Sequence, residues 1–180
     1  DKNLVPRFTE PEKSRIILTI AQAKALMDAS KDADVRALNA MVLFGGLRRE
    51  EVEKLDWADV HFKTRHIHVS SSVSKVGRER FSPILPNLRQ WLRPIAKKSG
   101  SIVERDLTYA LRRTWKAAGI VPWPADAHRH SFVSYRRRLI GDAQTALDAG
   151  TSEVIIKKHY KRPVLKSDAD KFFRIVPKKV

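Results

Sequence analysis

No cysteine occurs anywhere in the chain, which excludes disulfides and thiolate metal sites and is compatible with a reducing compartment. No apolar run approaches the roughly 18 residues that a membrane-spanning helix needs, so no membrane partner is expected. The opening stretch, DKNLVPRFTEPEK, lacks both an initiator methionine and the apolar core of a signal peptide. It is polar and proline-containing, and over residues 1–14 it reads as a linker from a missing N-terminal domain. Low-complexity segments and internal repeats are absent as well. Acidic residues are scarce: 20 Asp and Glu stand against 36 Lys and Arg.

What is present suits one globular domain. A length of 180 residues can bury a real core, and a hydrophobic fraction of 42% argues against global disorder. The formal net charge of +16 calls for a polyanionic partner. Nucleic acid is the commonest one, because lysine and arginine gain by displacing condensed counterions. The plainer alternative is a basic protein whose charge serves only solubility.

The pattern along the chain is mostly helical. Thr19 and Gln22 have capping-box spacing ahead of IAQAKALMDA. Asp34 is expected to cap VRALNAMVLF, which Gly45-Gly46 ends, and a short helix runs from about Arg49 to Leu55. His66-Ile67-His68-Val69 alternates, with Ile67 and Val69 inward. The two outward histidines read as a solvated face, since no third ligand has metal-site spacing. Ser70 to Ser74 is expected to continue the strand, Lys75-Val76-Gly77-Arg78 to turn, and Arg80 to Ile84 to return. That gives three short antiparallel strands with Lys75 near a hairpin tip. Further helices are expected over LRQWLRPIA, weakened by Pro94, and over about 104–118, 127–139, 142–149, 152–159 and 167–173. The fold class is therefore α+β, mostly helical with a small antiparallel sheet inserted early.

Several stretches carry candidate chemistry. GGLRREEV puts Arg48 in the turn between a buried helix and a short one, with Glu51 three positions on. Taken alone, this is a helix-start arginine paired with a local glutamate. HRHSF puts Arg129 early in a helix, where backbone N–H groups favour an anion. Tyr160 closes a helix between His159 and Lys161, a position that by itself more often means packing than catalysis. Arg136, Arg137 and Arg138 cannot share one face and read as a solvated or DNA-facing surface. Arg48, Arg129 and Tyr160 together can meet around one phosphate.

The set resembles the catalytic domain of the tyrosine recombinases, the phage-integrase family. GGLRREEVEKLDWADV is similar to that family's first-arginine box and SKVGRERFSPI to its β-hairpin lysine box. RHSF and LDAGTSEVIIKKHY resemble its second-arginine and nucleophile boxes, in the same order. The resemblance spans roughly Leu18 to Tyr160. It implies a catalytic domain over 15–161, with a tail over 162–180 carrying a short helix suited to docking in cis or in trans. It makes Arg48 and Arg129 the phosphate-clamping arginines, Glu51 the support of the first, Lys75 the general acid and Tyr160 the nucleophile. The implied reaction is site-specific DNA cleavage and rejoining through a 3′-phosphotyrosyl link, for integration or excision of a mobile element. No metal or other cofactor is needed. Arg78, Arg136, Arg137 and Lys161 are expected to contact DNA.

Two positions depart from the family pattern. Asp126 stands where a histidine is usual three residues before the second arginine, and Thr151 stands where histidine or tryptophan is usual nine before the tyrosine. Asp126 is suited to N-cap the next helix, and its carboxylate is a poorer proton shuttle near neutral pH than imidazole. Thr151 can still donate one hydrogen bond to a phosphate oxygen. His128 can stand in for the missing imidazole if 126–128 is not helical, and His130 and His159 are further candidates. These departures motivate one alternative, a catalytically impaired DNA-binding relative; a further one, a type IB topoisomerase, shares the chemistry. The resemblance also implies double-stranded DNA as partner, a homotetramer on DNA formed from monomers, and a cytoplasmic setting of bacterial or phage origin.

Overall fold

A computed structural model of the chain describes residues 15–160 and 163–178; the linker expected over 1–14 and Lys161 lie outside the described residues. Helix α1 (Ile20–Ala29) starts at the expected capping box, with Gln22 N donating to Thr19 Oγ1 and Thr19 N to Gln22 Oε1. Helix α2 (Ala33–Gly45) is capped by Asp32 rather than Asp34: Asp32 Oδ1 accepts from the amides of Asp34 and Val35 at 3.1 Å. Asp32 has the extended backbone that a cap needs, and Asp34 sits in the first turn, where its charge suits the helix dipole.

Helix α2 is the axis of the core. Leu38, Met41, Leu43 and Phe44 on it are 0–1% exposed, and each such side chain contributes about 1.5–3 kcal/mol by leaving water. Around it pack α4 (Pro86–Leu92), α6 (Ala127–Ile140) and α1. Helix α3 (Arg49–Val52) follows α2 after a three-residue turn. Pro94 ends α4 and falls in a 3-10 turn over Arg93–Ile95. Helix α5 (Thr108–Ala117) begins later than its sequence suggests, because Asp106 Oδ1 accepts from Thr108 N while Glu104 N turns aside to Asp34.

The sheet is antiparallel in the order β1 (Val60–His61), β2 (His66–Val69), β3 (Arg80–Pro83). Ile67 and Val69 are buried, as the alternation requires. Ser70–Ser74 does not extend β2. It coils into turns, with Ser74 N donating to Ser70 O at 2.9 Å, so Lys75 sits at the tip of a long β2–β3 connection. Three adjacent serines hydrogen-bond locally and offer no apolar face to hold a strand. In β3, Ser82 Oγ donates to Gly45 O at 2.7 Å and ties the sheet to the end of α2.

Helix α7 (Asp142–Ala149) leans on α6, and α8 (Glu153–His159) leans on α7. Helix α9 (Lys166–Phe172) packs on the chain's own core: Phe172 is fully buried against Phe44 and Tyr135, and Trp91 Nε1 donates to Ile175 O at 3.0 Å.

Candidate active site

Gly46 leaves α2 in the left-handed region, at φ 67°. A Cβ there would lie 2.3 Å from the Phe132 ring, so only glycine lets the end of α2 sit this close to α6. The close approach puts the Gly46 carbonyl within reach of Arg129, one turn into α6, which donates to it. The chain then enters α3 at once. Arg48 takes the N-cap position, and its backbone N–H donates to the Glu51 carboxylate at 2.8 Å.

Glu51 has no exposure to solvent. It accepts from Arg48 Nη1 at 3.1 Å and from Arg80 through both Nη1 at 3.0 Å and Nη2 at 2.6 Å. Burial works to raise its pKa, but the Arg80 fork and the Arg48 backbone overcome it and hold the carboxyl at about 2. Helix α7 aims its C-terminal carbonyls at the same cluster: Ala149 O accepts from Arg129 Nη2 at 2.7 Å and Gly150 O from Arg48 Nη2 at 3.0 Å. The negative end of a helix dipole thus faces both guanidiniums. Burial and the neighbouring Arg48 bring the Arg129 pKa down to about 10, which leaves it cationic at neutral pH.

Tyr160 follows the last residue of α8 and is 7% exposed. It packs with Phe132, Val133, Ala146, Ala149 and Ile156, so α6, α7 and α8 all fix its ring. Its Oη lies 3.0 Å from His130 Nδ1. Burial raises the phenol pKa above its ordinary value, the charges of Arg129, Arg15 and Arg48 pull it down, and Asp126 pushes it up. At neutral pH the group is a phenol.

The histidines divide. His128 is helical and turned into the core, 3.0 Å from Asn39 Oδ1, and burial drops its pKa to about 3. That contact and its burial keep it neutral, although its edge still reaches the cavity that Arg129 lines. His130 contacts the tyrosine directly; burial first, then Arg15, lowers its pKa to about 4. His159 lies in the last turn of α8.

Asp126 occupies the N-cap position of α6 without capping it. Its backbone is left-handed, at φ 52°, rather than the extended form from which a carboxylate reaches the N2 and N3 amides. Among the described residues no ion pair joins Asp126 to Arg129. Asp126, Thr151, Lys75, Arg48, Arg129, His130 and Tyr160 all line one cavity of about 450 Å³. Thr151 is fixed there by its backbone, its N–H donating to Ala146 O at 3.0 Å. Lys75 is 58% exposed at its side chain, with Nζ 3.3 Å from Glu50.

The other expected DNA contacts separate by their partners. Arg136 is held by Asp148, through Nε and Nη2 at 2.9 Å each, and Arg137 by Asp142, through Nε at 2.7 Å and Nη2 at 3.1 Å. Both guanidiniums, expected from sequence on a solvated or DNA-facing surface, are thus paired with carboxylates within the fold. Arg78 is exposed and lines a groove of about 690 Å³ that also touches Arg48 and Thr151. Two site residues escaped the sequence reading. Arg80 had a faint signal in its place on a returning strand, where register sets it opposite Val69. Arg15, which lines the cavity next to His130 and Tyr160, had none.

The model of the Phage integrase family matches residues 17–179. Prophage integrase IntF of Escherichia coli (strain K12) is 30% identical over 93 residues, a match covering 52% of this chain and 19% of that protein. The crystal structure of XerA recombinase superposes with a TM-score of 0.68 at 18% identity, over 92% of this chain and 67% of that one. The chain thus spans about a fifth of the curated relative, and the structural likeness is one of fold.

Proposed function

The chain belongs to the phage integrase family, and from that premise we propose that it breaks and rejoins DNA at specific sites, with Tyr160 as nucleophile. Tyr160 Oη attacks the scissile phosphorus, an O–P bond forms to the tyrosine, and the bond to O5′ breaks. The phenol proton passes to the Asp126 carboxylate, and Lys75 gives a proton to the departing 5′ oxygen. The product is a 3′-phosphotyrosyl link. A 5′-hydroxyl from a second strand reverses the step, and because the phosphodiester energy is kept, exchange needs no ATP.

Arg48 and Arg129 supply the electrostatic part. Each spends terminal N–H groups on carbonyls or on Glu51, which fixes its fork and leaves further donors for the non-bridging oxygens. Charge developing on a pentacoordinate phosphorus meets donors that need no reorganisation. Thr151 adds a hydroxyl. The observation that carries the reading is the convergence of Arg48, Arg129, Lys75 and Tyr160 on one cavity. Its partners are double-stranded DNA and three further copies of the chain during exchange, in the service of a mobile element. The test is a nicked suicide duplex carrying the cognate site, incubated with full-length protein and run on a denaturing gel. A covalent complex lost in Tyr160→Phe supports the reading; its absence where DNA is bound ends it.

One observation favours a second reading, a DNA-binding relative with weak catalysis. The Asp126 carboxylate lines the phosphate cavity and raises the Tyr160 pKa. Asp126→His combined with Thr151→His discriminates. A large gain in cleavage marks the native site as impaired, whereas a loss marks the native pair as tuned to its own chemistry.

A further inference from the structure

The segment just before α1 is pinned to α6 by its backbone: Leu18 N donates to Ser131 Oγ at 2.8 Å, and Tyr135 Oη donates to Leu18 O at 3.0 Å. Leu18 itself is 1% exposed. This anchoring brings Arg15 over the nucleophile. Arg15 Nη1 lies 3.1 Å from His130 Nε2, and its guanidinium carbon is 5.4 Å from the centre of the Tyr160 ring. His130 in turn sets Nδ1 3.0 Å from Tyr160 Oη, with the two rings edge to face. The three side chains form a relay, from Arg15 through His130 to the reacting oxygen.

The direction of that relay follows from what each group can do. A guanidinium has donors and no acceptor. The nitrogen it meets, His130 Nε2, must therefore offer its lone pair. A neutral imidazole with a bare Nε2 carries its proton on Nδ1. Burial keeps the ring neutral at physiological pH. Nδ1 therefore donates to Tyr160 Oη, and the tyrosine oxygen accepts.

We infer that Arg15 is a positioning residue of this site, which locks His130 in the Nδ1–H tautomer so that His130 donates a hydrogen bond to Tyr160 Oη and presents the phenol proton to the cavity. Two consequences follow. His130 is a donor that stabilises the developing phenolate, and it is not the base that removes the proton. The phenol's own hydrogen is directed away from the imidazole, into the cavity whose wall includes Asp126. Arg15 also lies over the face of the phenol, where its charge favours the anion. This inference rests on Tyr160 being the nucleophile only for its catalytic meaning; the tautomer and the contacts stand without it.

The test separates the two. Long-range proton–nitrogen correlation spectra of the full-length protein, labelled with ¹⁵N histidine, read the His130 tautomer with no DNA present. The expected wild-type result is Nδ1–H, retained in Arg15→Lys, which also donates and cannot accept. Arg15→Met keeps an apolar stem without a donor and is expected to release the ring to the Nε2–H form. An Nε2–H tautomer in the wild type overturns the inference, as does an unchanged Nδ1–H tautomer in Arg15→Met. Suicide-substrate cleavage then reads the catalytic part: Arg15→Met slows it by about tenfold to a hundredfold, with DNA affinity held and the rate largely rescued in Arg15→Lys. Unchanged cleavage in Arg15→Met removes the positioning role. If the wild type itself forms no covalent complex, the nucleophile assignment fails while the tautomer result still decides the structural one.

Discussion

At the scale of single residues, Glu51 is the hinge of the arginine cluster. It is fully buried and bonded to two arginines, and its pKa is held at about 2 against a usual 4.5. A carboxyl depressed in the folded state adds stability that is complete above its unfolded pKa and is lost as pH falls toward the folded one. Glu51→Gln should therefore cost about 3 kcal/mol near neutral pH, by leaving Arg48 and Arg80 without their counter-charge. That difference from wild type should shrink as pH drops from 4.5 toward 2, where the native carboxylate takes its own proton. Chemical denaturation at a series of pH values checks both the size and the sign. The sequence made the Arg48–Glu51 pair visible, since three positions along a helix start is contact distance. Arg80 was hidden, because its reach to Glu51 depends on β3 lying beside the α2–α3 turn. His128 and His130 differ by two positions, and only tertiary packing sends one to Asn39 and the other to Tyr160.

At the scale of elements, two helix ends aim the arginine pair. The end of α2 gives the Gly46 carbonyl to Arg129, and the end of α7 gives Ala149 and Gly150 to Arg129 and Arg48. Each side chain is aimed by backbone, which explains why the turn residues matter as much as the arginines. Gly46→Ala should destabilise the fold by about 3 kcal/mol, combining a left-handed backbone with a Cβ pressed into the Phe132 ring. It should also lower cleavage more than a loss of folded fraction explains, because Arg129 loses its anchor; thermal melts and cleavage rates on the same sample check this. The helices were legible wherever caps and apolar spacing agreed, as at Thr19. Asp32 and Asp34 show the limit: both can cap, and the choice lies in a backbone angle that spelling does not reveal. The serine run after Val69 shows another, since strand and turn compete there and no burial favours the strand.

At the scale of the whole molecule, the formal charge of +16 is not spread evenly in effect. Arg136 and Arg137 are spent on Asp148 and Asp142, whereas Arg78 stays exposed beside the groove next to the site. Arg78→Ala should weaken DNA binding and reduce the slope of log K against log salt by about 1, the signature of one lost phosphate contact. Arg136→Ala should leave that slope unchanged and instead cost about 2 kcal/mol of stability, since it abandons a buried carboxylate. Binding titrations across salt concentrations separate the two. The family's boxes were readable in order along the chain, whereas which arginines are paired within the fold depends on which carboxylates the fold brings near. The central claim is that Tyr160 carries the DNA between breakage and rejoining. Trapping the full-length protein on a nicked site, digesting the complex and mapping the adduct by mass spectrometry tests it most directly. The expected adduct is a nucleotide joined through its 3′-phosphate to Tyr160; an adduct on any other residue, or cleavage that survives Tyr160→Phe, would contradict the claim.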